Sequence, residues 1–227
     1  MKNLNSDSRL PKASWEKSTG VRWCTKHTGK MKGIYSLSTY RKANKFCLEY
    51  SKNTDLICHF CYVFGLEKLY GQKFVKKYVA NTEILNSEIL KEHLSLDRIA
   101  KQYFRFEAFG DLQSVTQVAN YFQICNDNPN KSFALWTKNP FIIEWAINEK
   151  GYAKPKNLQI LYSSPKLNIT DEGILKKFNF IDKVFTVYTK DYINQHNIDI
   201  NCGARDCVTC LKCYKANNVK FVREKLK

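Results

Sequence analysis

Cysteine carries most of the reactive chemistry in this sequence, with nine residues: Cys24, Cys47, Cys58, Cys61, Cys125, Cys202, Cys207, Cys210 and Cys213. The last four run as Cys202-x4-Cys207-x2-Cys210-x2-Cys213. Thiolates two residues apart can wrap one centre, because the backbone amides of the intervening loop point at the sulfurs. Structural zinc usually takes two well-separated pairs of ligands. Four thiols compressed this tightly suit a cubane iron–sulfur cluster better, with zinc as the alternative metal. They are too crowded for an ordinary disulfide framework.

The second group is Cys47-x10-Cys58-His59-Phe60-Cys61-Tyr62. Three cysteines hold three corners of a [4Fe–4S] cluster and leave the fourth iron open to a small molecule. Two other arrangements are open: Cys58 and Cys61 could complete a zinc site with two later cysteines, or His59 could supply the missing ligand. Cys125 extends the apolar face of a helical stretch and is expected to be a plain core residue. Cys24 is expected to bind nothing, and His27, His93 and His196 are isolated in sequence. No Walker loop, GxGxxG, GxSxG or HExxH pattern is present.

The elements that must position these thiols read as alternating strands and helices. Short apolar runs at 33–38, 103–109, 132–137, 158–163 and 184–189 read as strands. Helical spacing marks 68–94, with a break expected near Asn81-Thr82, and then 115–122 and 140–147. Such βαβ alternation predicts an α/β fold whose parallel βα units form a partial barrel or open sheet, carrying cysteine-rich metal-binding loops. Ligand sites in these folds lie at the carboxyl ends of the strands. Gly110-Asp111, Thr137-Lys138, Ser163-Ser164 and Thr189-Lys190 fall there, and Glu107 and Lys138 are weaker pocket candidates. Residues 1–29 read as a basic arm packed through Trp15 and Trp23, and residues 30–227 as a single domain with cysteine clusters at 47–61 and 202–213.

Charge is concentrated at the ends. The chain has 37 Lys/Arg against 21 Asp/Glu. Its first 50 residues hold 11 basic and 3 acidic side chains, and residues 212–227 hold 6 and 1. A polyanion, DNA or RNA, is the partner such ends imply. No apolar run is long enough for a membrane span and no secretory leader is evident, so a reducing, cytoplasmic setting is expected. The 44% hydrophobic and 14% aromatic content exclude a disordered chain.

The ordered pattern Lys30-Met31-Lys32, Tyr35-Ser36-Leu37, Cys47, Cys58-x2-Cys61-Tyr62, Phe109-Gly110-Asp111, Tyr162-Ser163-Ser164 and Cys202 to Cys213 resembles the phage "gene product 88" family. The resemblance covers residues 30–214, leaving the basic arm outside, and it implies the cytoplasm of a host cell. The layout is also similar to radical S-adenosylmethionine proteins, which place three cysteines after the first strand and a Gly-Gly-Glu-like turn after the second. That likeness implies that Cys47, Cys58 and Cys61 hold a cluster, with Tyr62 beside it and Gly110 and Asp111 at the amino group of S-adenosylmethionine. The spacing here is x10 then x2, and one glycine precedes the acid. The reading is thus a phage-type iron–sulfur protein with one or two [4Fe–4S] clusters, radical-SAM-like, acting on nucleic acid or a nucleotide. The alternative is a non-catalytic iron–sulfur or zinc-stabilised protein that binds nucleic acid or a host factor.

Overall fold

Aromatic and β-branched residues dominate the short runs between the helical stretches, and these runs assemble into one sheet. The computed structural model describes residues 19–97 and 99–226. Its strands are β1 (Tyr35–Leu37), β2 (Tyr103–Phe106), β3 (Ser132–Thr137), β4 (Leu158–Ser163), β5 (Lys183–Tyr188) and β6 (Phe221–Lys225). The helices are α1 (Lys45–Lys52), α2 (Val63–Ser87), α3 (Val115–Asp127), α4 (Pro140–Asn148), α5 (Ile174–Lys177), α6 (Lys190–His196) and α7 (Cys207–Cys210). All neighbouring strands are parallel, and their spatial order is their sequence order. Each crossover therefore advances by one strand in the same direction. With the usual right-handed connection, this puts the crossover helices packed on the sheet, α3 and α4 among them, on one face.

Side-chain alternation then divides the core in two. On the helix side, Phe104, Phe106, Phe133, Leu135, Leu158, Ile160 and Val184 pack with Val118, Tyr121, Phe122, Cys125 and Ile143. Phe106 stacks on Tyr121 with ring centres 4.2 Å apart, and on Phe133 at 5.4 Å. On the other face, Ala134, Trp136 and Leu161 pack with Ile34 and Tyr214, joined by Tyr103, Phe185, Met31, Leu211, Cys207 and Cys213. The C-terminal cysteine segment, with its one-turn α7, is thus the cover of the face that the longer helices leave free, the helix-free face.

The predicted α/β class and parallel sheet are present, with several differences of detail. β2 stops at Phe106 because Glu107 takes a positive φ of 53°, which turns the chain out of the sheet. β6 was not expected from the sequence, because Arg223, Glu224 and Lys225 mask its apolar signal. The long helix starts at Val63, bends at Gly71 (φ 59°, ψ −152°) and ends at Ser87, short of the expected 94. Asn81 and Thr82 do not start a second helix. Asn81 is buried and exchanges hydrogen bonds with the backbone of Arg22 and Ser38, and Thr82 Oγ1 accepts from Tyr40 N. They hold flanking segments against α2 instead of capping it.

Part of the expected basic arm belongs to this fold. Val21 and Trp23 are buried, and the Cys24 backbone pairs with Ser36. Trp15 and residues 1–18 lie outside the described residues. Among the described residues, no helix is long and apolar enough to cross a membrane.

Candidate metal centres

The first cysteine group is built onto the carboxyl end of the sheet by a short chain of polar contacts. Asn44 caps α1, its Oδ1 accepting from Phe46 N and Cys47 N. Its Nδ2 donates to the carbonyls of Asp111 (2.8 Å) and Leu112 (3.3 Å). A single buried side chain therefore fixes Cys47 beside the loop that follows β2. Cys58 lies within a tight 3-10 turn, Ile57–Phe60, which Cys61 closes, its N donating to Cys58 O. Ile57 N donates to Pro165 O, which pins this turn to the exit of β4. Cys58 lies close enough to Cys47 to disfavour its ionisation, and Cys61 does the same to Cys58. Burial pushes the Cys47 and Cys58 thiols up; the Asp111 charge adds to this and the Lys138 charge opposes it.

Asp111 is buried and braces the strand ends. Its Oδ1 accepts from Leu112 N (2.8 Å) and Thr137 Oγ1 (2.5 Å), and its Oδ2 from Lys138 N (3.0 Å). Burial raises its carboxyl above the usual range despite these bonds. Gly110 has no room for a side chain: an added Cβ would meet Thr39 Oγ1 at 2.6 Å and Glu107 Oε2 at 2.7 Å. Tyr62 donates its hydroxyl to Ala108 O, tying the start of α2 to the same loop. Tyr62, Gly110 and Asp111 therefore come together with Cys47 and Cys58 at one rim, each holding part of the chain.

Of the weaker candidates, Lys138 stands at this rim. Glu107 turns toward α3, where it accepts from Thr39, Gln117 and Tyr121. Burial pushes its carboxyl up to about 7. Thr137 is spent on Asp111, Ser164 pairs with Thr186, and Thr189 caps α6. His59 is exposed, with Nδ1 against Ser51 O at 3.1 Å.

The second group folds differently. Asp206 caps α7, accepting from Thr209 N, and Leu211 ends it in the left-handed region at φ 53°. One turn thus puts Cys207 and Cys210 on the same side. Cys202, Cys207, Cys210 and Cys213 line one cavity of about 30 Å³, together with Lys30, Leu211 and Tyr214. A water needs about 10–15 Å³, so this space is more than one water. Gly33, at φ 87°, lets the segment before β1 pass the loop, with its Cβ position 3.1 Å from Val208 Cγ2. Burial raises the Cys202 and Cys207 thiols, and the Cys213 thiol to about 12.

The spacing of the cysteines did not disclose the cations around this cavity: Lys30 and Lys212 line it, Lys212 donating to Asn201 O (2.7 Å), and Arg105 stands outside it in the adjoining Trp136 layer. Lys30 Nζ donates to Glu224 Oε1 (2.7 Å), to Cys202 O (2.7 Å) and to Cys202 Sγ (3.6 Å). Arg105 lies over the Trp136 ring at 4.0 Å, and its charge acts on Cys207, Cys213 and Tyr214. An arginine inside the apolar run Tyr103-Phe104-Arg105-Phe106 is the one sequence signal that could have found it. Lys30 gave no such signal among the many lysines.

Among the described residues, no group of three or more His, Cys, Asp or Glu side chains is placed to hold a metal ion as it stands. The metal-binding loops expected from the sequence are therefore not assembled among the described residues. In donor chemistry the C-terminal set fits a tetrathiolate centre, with four sulfurs on one cavity and cations at its edge. Cys125 is fully buried in the helix-side core, as expected.

No curated protein and no solved structure matches this chain. The family model described as gene product 88 matches residues 7–225, taking in most of the basic arm as well as both cysteine groups. Strand order, rim and thiol pattern thus sit within a single family match, and the chain belongs to the phage gene product 88 family.

Proposed function

We propose that this protein is an iron–sulfur protein with two centres. Cys47, Cys58 and Cys61 hold a cluster with one open iron at the rim of the sheet, and Cys202, Cys207, Cys210 and Cys213 hold a fully ligated one. The observation that carries this reading is the placement of the first group. Cys47 and Cys58 stand beside Asp111 and Lys138, where β2 and β3 end in a parallel sheet of sequential order. That rim is where parallel α/β folds keep their ligands. A [4Fe–4S] cluster with an open iron supplies one-electron chemistry to a chelating ligand such as S-adenosylmethionine. The chain's own part is to bring three thiols together and keep the Gly110-Asp111 turn rigid. Asp111 already accepts three hydrogen bonds, so it acts as a brace of this turn before any ligand ammonium reaches it.

The surroundings favour a nucleic acid or nucleotide as the molecule acted on. Phe60, between two of the cysteines, is 69% exposed, and Tyr62 and Tyr70 are also open to solvent. Exposed rings beside lysines such as Lys68 offer bases a stacking surface and phosphates a charge.

The test is anaerobic reconstitution of the full chain with iron and sulfide. About eight irons per chain and a broad absorbance near ~400 nm are expected. Binding of S-adenosylmethionine should perturb the cluster spectrum and be lost in Cys58→Ala. A colourless protein carrying stoichiometric zinc refutes the cluster reading. Iron without any response to S-adenosylmethionine refutes the open-site reading alone.

A further inference from the structure

The C-terminal cysteine cavity carries a charge arrangement that the thiols do not explain. Four thiolates around a divalent core, whether zinc or an oxidised [4Fe–4S] cluster, leave two net negative charges. Burying that charge requires nearby cations or donors. Arg105 is a cation in need of an anion. Its Nε is buried without a hydrogen-bond partner, its Nη1 reaches only Met31 Sδ at 3.5 Å, and among the described residues no carboxylate pairs with it. It projects from β2 onto the helix-free face, over Trp136, in the layer that holds Cys207 and Cys213. Lys30 approaches from the opposite end of the chain and directs its ammonium at Cys202 Sγ. Glu224, 2.7 Å from Lys30, holds that ammonium in place.

We infer that Lys30 and Arg105 are the cationic partners that set the charge, and with it the reduction potential, of the centre held by Cys202, Cys207, Cys210 and Cys213. The inference rests on the iron–sulfur reading above. Uptake of one electron from a low-potential reductant adds a third negative charge to the centre. Lys30 and Arg105 stabilise that reduced form, and hydrogen bonds to cluster sulfur act in the same direction. Without them the centre is harder to reduce.

The experiment is a dithionite titration of the anaerobically reconstituted full chain, followed by electron paramagnetic resonance, with iron counted in every sample. The potential that survives in Cys47→Ser/Cys58→Ser belongs to the C-terminal centre. Lys30→Met is expected to keep its iron and to lower this potential by about 59 mV, a tenfold change in the oxidised-to-reduced ratio. Arg105→Met is expected to lower it further, and Lys30→Arg to stay near the parent. Where Arg105→Met fails to fold, the pair at Lys30 decides. An unchanged potential in Lys30→Met with iron retained overturns the inference, as does an equal fall in Lys30→Arg. A parent protein that takes up no iron refutes the cluster reading. The inference is then judged on zinc affinity by chelator competition: a tenfold loss in Lys30→Met supports it and equal affinity overturns it.

Discussion

The two cysteine groups are solved by the fold in opposite ways. The N-terminal group sits on short loops at the carboxyl end of the sheet, among Asp111, Lys138 and the exposed Phe60. Its position is fixed by Asn44 and by the Ile57 contact to Pro165, neither of which involves sulfur. The C-terminal group is itself a layer of the core, with Cys207, Leu211, Cys213 and Tyr214 covering Trp136 and Leu161. The first is an accessible site that the scaffold holds in place. The second is part of the scaffold, so a change there disturbs the core as well as the thiols.

That contrast sets the largest expected effect. Cys207→Ser should lose metal and stability together, on the order of half of the ~10–16 kcal/mol that a structural metal site supplies, and emerge largely insoluble. Cys47→Ser should empty its own site and leave thermal unfolding nearly unchanged. Equal loss of solubility in the two variants breaks the distinction.

A second test disturbs only the N-terminal side. Glu67 is buried with Arg41 (3.1 Å) and also pairs with Lys42, while Arg41 covers Phe64. Glu67→Gln leaves the Arg41 charge buried without a partner, at a cost of about 3–5 kcal/mol. Metal at the C-terminal centre should be retained in whatever fraction folds. Denaturation curves with metal analysis check this, and loss of both centres at once contradicts it.

The third test uses pH. Glu107, raised from 4.5 to about 7, favours the folded state while protonated. That contribution is complete below about pH 4.5 and is lost as pH rises through 7, about 3 kcal/mol in all. His27, lowered to about 4, acts in the opposite sense, since its contribution is lost as pH falls from 6.5 toward 4. The diagnostic is therefore the difference between the parent and Glu107→Gln, measured by denaturant midpoints from pH 4.5 to 7.5. Parallel curves refute the role of Glu107.

The smallest effect belongs to Cys125, which is buried and unpaired with either group. Cys125→Ala should cost only about 1–2 kcal/mol of packing and leave both metal contents unchanged. Any loss of metal would place it in a centre.

The parallel sheet was legible because each of its first five strands is a short apolar run closed by a turn signal. β6 was not, since an edge strand with three charged residues in five carries no apolar period. The helix break was misplaced for a related reason. Asn81 and Thr82 look like caps in sequence, yet their side chains serve distant backbone, whereas Gly71 makes the bend by adopting a conformation that only its flanking geometry reveals. Spacing singled out seven candidate thiols, the last four of which line one cavity. It could not show that Asp111 is consumed by Thr137 and Lys138, nor that Lys30 crosses from residue 30 to residue 202, because both depend on which strands become neighbours.

Sequential strand order has a bearing on biosynthesis. As the chain leaves the ribosome, each new strand can dock on the one just made, because no later strand must be inserted between two earlier ones. Only the final step differs, since residues 202–214 must settle over the helix-free face around the time β6 adds to β5. The nascent protein thus exposes Trp136 and Leu161 until its last thiols arrive. Burial of the sheet's second face is therefore a late event, and a chain truncated before residue 202 would keep that apolar face open.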